Sequence, residues 1–225
     1  MFKFISKLKK YWRKQEIKGI IEKSYFTQFL PPNPVILEAG AHIGIDTLAM
    51  AKEWKNATIH AFEPESQLFR KLQKNTEGIP SIHIYPLALA DKTDEVDFYI
   101  SSGQSDGSSS ILKPKKHLDI HPQVIFEDKK SVQAITLDDW SMQNGITKVD
   151  MLWLDLQGYE LPVLKNSLSI LRGVNVIYTE VNLIENYENN ALYNELKIWL
   201  QEQGFVVERE ELAWHDAGNV LFIKK

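Results

Sequence analysis

Residues 35–44 read Val35-Ile36-Leu37-Glu38-Ala39-Gly40-Ala41-His42-Ile43-Gly44, and this stretch decides the fold. A short apolar run that ends in an acid suits a strand buried on both faces, as in a parallel sheet. A helical apolar pattern through Ile45, Leu48, Ala49 and Ala51 follows directly. Glycines at 40 and 44 let the backbone turn tightly and approach a ligand with no Cβ in the way. Ala41 and His42 make the spacing Gly-x-x-x-Gly instead of the dinucleotide fingerprint G-x-G-x-x-G, so a pyrophosphate cradle is disfavoured. The acid at Glu38 points to a ligand that carries a cationic or amine group.

The same alternation continues down the chain. Strands are expected at 58–62, 82–89, 95–100, 132–136, 149–154 and 174–181, with helices around 68–72, 137–142, 160–171 and 190–203. Residues 205–209 and 219–223 read as two closing strands with no helix between them, hence a hairpin with one antiparallel strand at the sheet edge. The expected class is α/β: an open, doubly wound, mostly parallel Rossmann-like sheet ending in a C-terminal antiparallel hairpin. Ligands of such sheets sit outside the carboxyl ends of the strands at the switch point. Glu38, Glu63, Asp91, Asp155 and Glu180 all fall at or near expected strand ends.

Composition narrows the chemistry. The chain has 225 residues, 44% of them hydrophobic, enough for one cored domain with a short appendage. Cysteine is absent, which excludes a disulfide framework, a thiolate nucleophile and sulfur-built zinc sites, and fits a reducing cytoplasm. No stretch reaches the roughly 18 apolar residues of a membrane span. The net charge of −4 conceals a split: residues 1–23 carry eight basic and two acidic residues, or +6, leaving 18 basic against 28 acidic, or −10. An acidic body argues against a nucleic-acid substrate. Pro31-Pro32-Asn33-Pro34 separates an N-terminal segment (1–33) from the domain (34–225).

Glu63 ends the second expected strand, where a carboxylate can accept hydrogen bonds from vicinal ribose hydroxyls. With Glu38 and the two glycines it describes a site for an adenosine bearing an amino-acid tail, namely S-adenosyl-L-methionine.

The run VILEAGAHIGIDTLAMA, then HAFEPESQLFRKLQKN, YPLALAD, ITLDDW, VDMLWLDLQGYELPVLKNS and VIYTEV, resembles the FkbM-type S-adenosylmethionine-dependent methyltransferases over about residues 35–205. The resemblance implies a class I methyltransferase fold and transfer mostly to hydroxyls of glycans or natural products. It assigns Glu38, Gly40 and Gly44 to the glycine motif, with Ala41 and His42 lining the turn. Glu63, followed by Pro64, is then the ribose acid, Ala90-Asp91 the adenine edge, and Ser109 part of a serine patch spanning 108–110. Asp155, Gly158 and Glu160 match its D-x-x-G-x-E element, whereas Gln157 stands where the family commonly has glutamate. An amide is neither a base nor a good metal ligand, and no metal is expected at the site.

Methyl transfer is an in-line displacement in which alignment supplies much of the rate, but a sugar hydroxyl also benefits from a base. Asp155 is the first choice for that base, with Glu160 and Glu180 orienting the acceptor or holding a cation. An amine acceptor, and an inactive binding module of the same fold, remain as alternatives. His117 and His121 are spaced for a metal on a helix, yet Pro114 and Pro122 bracket them and no third ligand is evident, so a solvated loop is expected. Residues 101–130, beginning SSGQSDGSSS, read as a lid over a small-molecule or glycan acceptor. Residues 3–30 read as a helix whose Phe4, Leu8, Tyr11 and Trp12 lie among lysines. It suits packing on the domain or a second protomer, docking of a protein, or peripheral binding at the inner membrane face through residues 1–24.

Overall fold

The computed structural model describes residues 21–225, apart from the side chains of Glu127 and Asp128. The helix expected over 3–30 therefore falls mostly outside the described residues. Within them one helical turn, α1 (Lys23–Phe26), runs into a 3-10 turn at Thr27–Phe29. There follow β1 (Val35–Ala39), α2 (Ile45–Glu53), β2 (Thr58–Phe62), α3 (Ser66–Thr76), β3 (Ile82–Tyr85), β4 (Ala88–Leu89) and β5 (Asp94–Gly103). The chain goes on through α4 (His117–Ile120), β6 (Val124–Ile135), α5 (Leu137–Asn144), β7 (Met151–Leu154), α6 (Glu160–Lys165) and α7 (Leu168–Leu171). It closes with β8 (Val176–Asn182), α8 (Tyr193–Glu202), β9 (Phe205–Glu211) and β10 (Ala217–Lys224).

Seven strands form one sheet in the order β3-β2-β1-β7-β8-β10-β9, with the first five parallel. The direction of travel reverses between β1 and β7, which makes the space beyond their carboxyl ends the switch point. The hairpin β9–β10 is present, but its antiparallel strand is not at the edge. β10 pairs with β8 on one side and β9 on the other, so the last strand of the chain inserts one place inward. The reason is apolar content: Val220, Leu221 and Phe222 of β10 are fully buried, whereas β9 turns Glu208, Arg209 and Glu210 to solvent.

Strand alternation sends neighbouring residues to opposite faces. Leu37, Leu152, Leu154 and Ile177 join the core on one side of the sheet. Ile36, Met151, Trp153 and Tyr178 join the other, and there they meet Ile21 and Phe26. The residues just ahead of the proline run thus pack into the domain. Phe26 stands edge-on to Tyr178 and Trp54, and Trp54 Nε1 donates to Thr27 Oγ1 at 3.0 Å.

The stretch from 82 to 135 differs most from its sequence reading. The single strand expected over 82–89 breaks after Tyr85, and Ala88-Leu89 joins a second, three-stranded sheet, β4-β6-β5. Of the loop expected over 101–130, residues 101–103 and 124–130 belong to the β5/β6 hairpin, with Phe98 paired to Lys130 and Gly103 to Val124, while 104–123 stays irregular around the short α4. The helix expected over 160–171 is two short ones, α6 and α7, interrupted at Asn166-Ser167.

Candidate active site

Three strand ends build the site. Register places Ala39 beside Phe62 of β2 and beside Leu154 of β7, so Gly40, Glu63 and Asp155 emerge next to one another. The peptide N–H groups of Gly40 and Ala41 both donate to the Phe62 carbonyl, at 3.1 and 2.9 Å, and Asp155 N–H donates to Ala39 O at 3.0 Å. Gly40 has φ +83°, and a Cβ there would lie 2.1 Å from the Asp155 carbonyl oxygen. No other residue type lets the two backbones pass this closely. Gly44, φ +84°, precedes α2 and completes the turn, and His42 between them is also left-handed at φ 53°.

Above this turn opens a cavity of about 270 Å³, near the lower end of the ~300–1,000 Å³ common for ligand pockets. Of the residues singled out from sequence, Glu38, Gly40, Ala41, His42, Glu63, Pro64, Ser109 and Asp155 line it. Gly44, Ala90, Asp91, Glu160 and Glu180 lie outside that lining. Leu87, Ala88 and Leu89 take the wall next to Ala90-Asp91. Ala90 is fully buried with its N–H on the Ile135 carbonyl, and Asp91 accepts the Tyr159 hydroxyl at 2.8 Å. Phe98, Ile111, Leu156 and Tyr159 add apolar wall that sequence reasoning did not anticipate. Phe98 and Ile111 come from the second sheet and the loop beyond it, and nothing local in the sequence points them here.

The acids are held differently. Glu38 is buried, and burial with Asp46 nearby pushes its pKa up to about 8 against the opposing hydroxyl of Thr47, which donates to its Oε2. Glu63 is likewise pushed up to about 8 by burial, partly countered by two backbone donors. His42 N–H reaches its Oε2 at 2.9 Å and Glu65 N–H its Oε1 at 2.8 Å. Each oxygen keeps a lone pair for a further donor.

Asp155 faces the cavity, where solvent reaches it although protein surrounds it. Burial raises its pKa, opposed by hydrogen bonds from Gln157 and Glu180. Glu180 is raised well above the usual carboxylate range by burial and by the charge of Asp155. Gln157 joins them. Its Nε2 donates to Asp155 Oδ1 at 2.7 Å and to Glu180 Oε2 at 2.5 Å. The Tyr187 hydroxyl lies 2.8 Å from Gln157 Oε1 and 2.8 Å from the Ser108 carbonyl, its proton shared between them. Tyr187 fixes which way the amide faces, and Gln157 adopts φ 51° to reach both carboxylates. Glu160 acts on the backbone instead. Its Oε1 accepts the N–H of Leu156 at 2.9 Å and of Gly158 at 3.3 Å, pinning the turn that carries Gln157.

The loop after β5 crosses the cavity. Asp106 accepts from or pairs with His42 Nε2 at 2.8 Å, and Ser110 Oγ donates to the Gln157 carbonyl at 2.9 Å, tying both ends of the loop to the site. The histidines at 117 and 121 part company: His121 is exposed at the surface, as expected, whereas His117 is not. His117 is buried against Tyr187 and Phe126, its pKa lowered to about 4 by burial and by His121, which itself pairs with Asp216 at 3.0 Å. The expectation of a solvated loop missed the burial of His117 because the rings that cover it arrive from β6 and from the segment after β8. Among the described residues no cluster of three His, Asp or Glu is arranged to hold a metal.

Comparison with known proteins agrees with this architecture. Residues 38–207 match the family described as the methyltransferase FkbM domain. The 2-O-methyltransferase NoeI of Sinorhizobium fredii (strain NBRC 101917 / NGR234) is 32% identical over 179 residues, 77% of this chain and 70% of that protein. The hexuronic acid methyltransferase AglP of Haloferax volcanii is 21% identical over 219 residues, 92% of this chain and 84% of that one. Among solved structures, Aeropyrum pernix fibrillarin with natively bound S-adenosyl-L-methionine superposes with a TM-score of 0.51 at 15% identity, covering 92% of this chain and 71% of that one. That likeness speaks for the fold alone. With most of its length matched on a glycine turn and strand-end acids of this geometry, the chain belongs to the FkbM methyltransferases.

Proposed function

We propose that this methyltransferase methylates a hydroxyl of a sugar, glycan or related metabolite, with S-adenosyl-L-methionine as donor. The residues fit the donor: a glycine turn at Gly40 that seats β1 against Asp155 at the cavity floor, at Glu63 two oxygens with spare lone pairs, and an apolar slot walled by Leu89, Phe98 and Tyr159. Bound there, the donor supplies an electrophilic methyl on a sulfonium sulfur. Glu38, Gly40, Ala41, His42, Gly44, Glu63, Pro64 and Ser109 hold or shape its site in this reading, with Ala90-Asp91 backing the wall. The name of NoeI supports transfer to an oxygen, and that of AglP a sugar-type acceptor.

The observation that carries the reading is the Asp155–Gln157–Glu180 group at the end of β7 and β8. Asp155 is the base that takes the acceptor's hydroxyl proton. Its basicity rises as the cavity fills and water leaves. Glu180 and the Gln157 amide hold the Asp155 carboxylate in place, while Glu160 acts on the turn and not on the acceptor. Asp155→Asn is expected to lower kcat by about 10²–10⁴-fold, the usual worth of a positioned base, with donor binding retained in calorimetry. Unchanged turnover removes Asp155 from the mechanism.

In the same reading residues 34–225 are the catalytic domain and residues 1–33 an appended segment. Its basic residues suit peripheral attachment to an anionic membrane face in the cytoplasm, a protein partner or a second protomer. The −10 body supports a small-molecule or glycan acceptor over nucleic acid. Among the described residues no helix is long and apolar enough to cross a membrane.

A further inference from the structure

Five carboxylates line the cavity, Glu38, Asp46, Glu63, Asp106 and Asp155, and neither lysine nor arginine is among its lining residues. An α-amino acid brings an ammonium and a carboxylate together. Even with Glu38 and Glu63 keeping their protons near neutral pH, the half-exposed Asp46 and Asp106 suit the first and repel the second unless a cation stands near. Lys23 stands there. Its ammonium donates to Asp46 Oδ1 at 2.5 Å and sits 4.3 Å from the ring centre of Trp153, both of them wall residues. Its side chain is only 14% exposed.

Lys23 comes from the ten residues before the proline run, outside the matched block 38–207. Those residues are firmly seated. Ile21 and Phe26 are fully buried in the core that contains Trp153, the Ile21 N–H bonds the Tyr178 hydroxyl, and the Tyr25 hydroxyl donates to Glu208 at 2.7 Å. An ammonium has three donors, and Asp46 takes one. The Asp46–Lys23 pair therefore offers a negative and a positive group side by side at the cavity wall, the inverse of an amino acid's own two charges.

We infer that Lys23 belongs to the donor site, reading the α-carboxylate of the amino-acid end while Asp46 takes the α-ammonium. This rests on S-adenosyl-L-methionine being the donor and names a residue ahead of the family block as part of its recognition. The test is calorimetric binding, without turnover, of S-adenosyl-L-methionine and of its decarboxylated analogue to the full chain and to Lys23→Met and Lys23→Arg.

The unaltered protein is expected to prefer S-adenosyl-L-methionine by about 10- to 100-fold, the worth of one charge-assisted hydrogen bond. Lys23→Met is expected to erase that preference, weakening S-adenosyl-L-methionine while leaving the analogue nearly unchanged, and Lys23→Arg to restore most of it. A lysine that only braces the fold would shift thermal melting and weaken both ligands alike. No preference in the unaltered protein, or equal weakening of both ligands in Lys23→Met, overturns the inference and leaves the donor assignment standing. Failure of the unaltered protein to bind S-adenosyl-L-methionine overturns both.

Discussion

Gly40→Ala tests the site's geometry against a built-in control. Gly40 and Gly204 have nearly the same backbone, φ +83° and +87°, but an added Cβ meets the Asp155 carbonyl oxygen at 2.1 Å in the first and nothing within 4 Å in the second. Alanine in the left-handed region costs roughly 1–2 kcal/mol at either place. At Gly40 the contact is with backbone, which cannot rotate away, so β1 and β7 must separate. Overpacking of this kind adds about 1–3 kcal/mol. Gly40→Ala is thus expected to lose about 2–5 kcal/mol and Gly204→Ala about 1–2 kcal/mol, against a typical domain stability of about 5–15 kcal/mol. Urea denaturation of both variants measures the difference, and calorimetry with S-adenosyl-L-methionine measures its consequence. Donor binding should collapse in Gly40→Ala and persist in Gly204→Ala. Equal losses of stability, or normal donor affinity in Gly40→Ala, would refute the close approach of β1 to Asp155.

Other outcomes follow from the same structure. Glu38 and Glu63 have folded-state pKa values raised from the ordinary 4.5 to about 8, so their contribution is fully present below about pH 4.5 and is lost as pH rises toward 8. Each accounts for at most about 1.4 kcal/mol per pH unit. Glu38→Gln should flatten the decline in a series of urea titrations across that window, and an unaltered slope would contradict the assignment. Tyr187→Phe frees the Gln157 amide and should lower kcat about 2- to 10-fold, one hydrogen bond's worth, with donor affinity intact; unchanged kcat would remove Tyr187 from the catalytic support. Removing residues 1–20, which spares the buried Ile21 and Phe26, should abolish co-sedimentation with anionic liposomes if the basic segment is a membrane tether. Equal sedimentation of both chains would exclude that role.

Much of the site was legible because parallel strands bury both faces and leave their acids at the ends. The run Val35-Ile36-Leu37-Glu38 and the later Met151–Asp155 announce themselves in this way, and their alternation correctly assigns Trp153 and Leu154 to opposite faces. The β5/β6 hairpin was not legible over its length. Its strands carry Glu95, Asp97 and Lys129 on an open face, where cross-strand ion pairs such as Lys129–Asp97 replace an apolar pattern, and the exposed Asp94 and Lys130 interrupt the other face. The Gln157–Tyr187 contact escaped for another reason. Thirty residues separate the two, and only the left-handed turn at Gln157 and the loop after β8 bring them together. The burial of His117 has the same origin, since Phe126 and Tyr187 approach it from two other segments.

The central claim is methyl transfer to a sugar hydroxyl with Asp155 as base. Its most direct test is incubation of the full chain and of Asp155→Asn with methyl-labelled S-adenosyl-L-methionine and cell-envelope glycan extracts, followed by sugar linkage analysis of the labelled product. The expected result is a labelled methyl ether on a sugar hydroxyl, formed by the unaltered protein and nearly absent with Asp155→Asn. Label recovered on an amine, no labelled product from any extract, or equal product from the two proteins would contradict it.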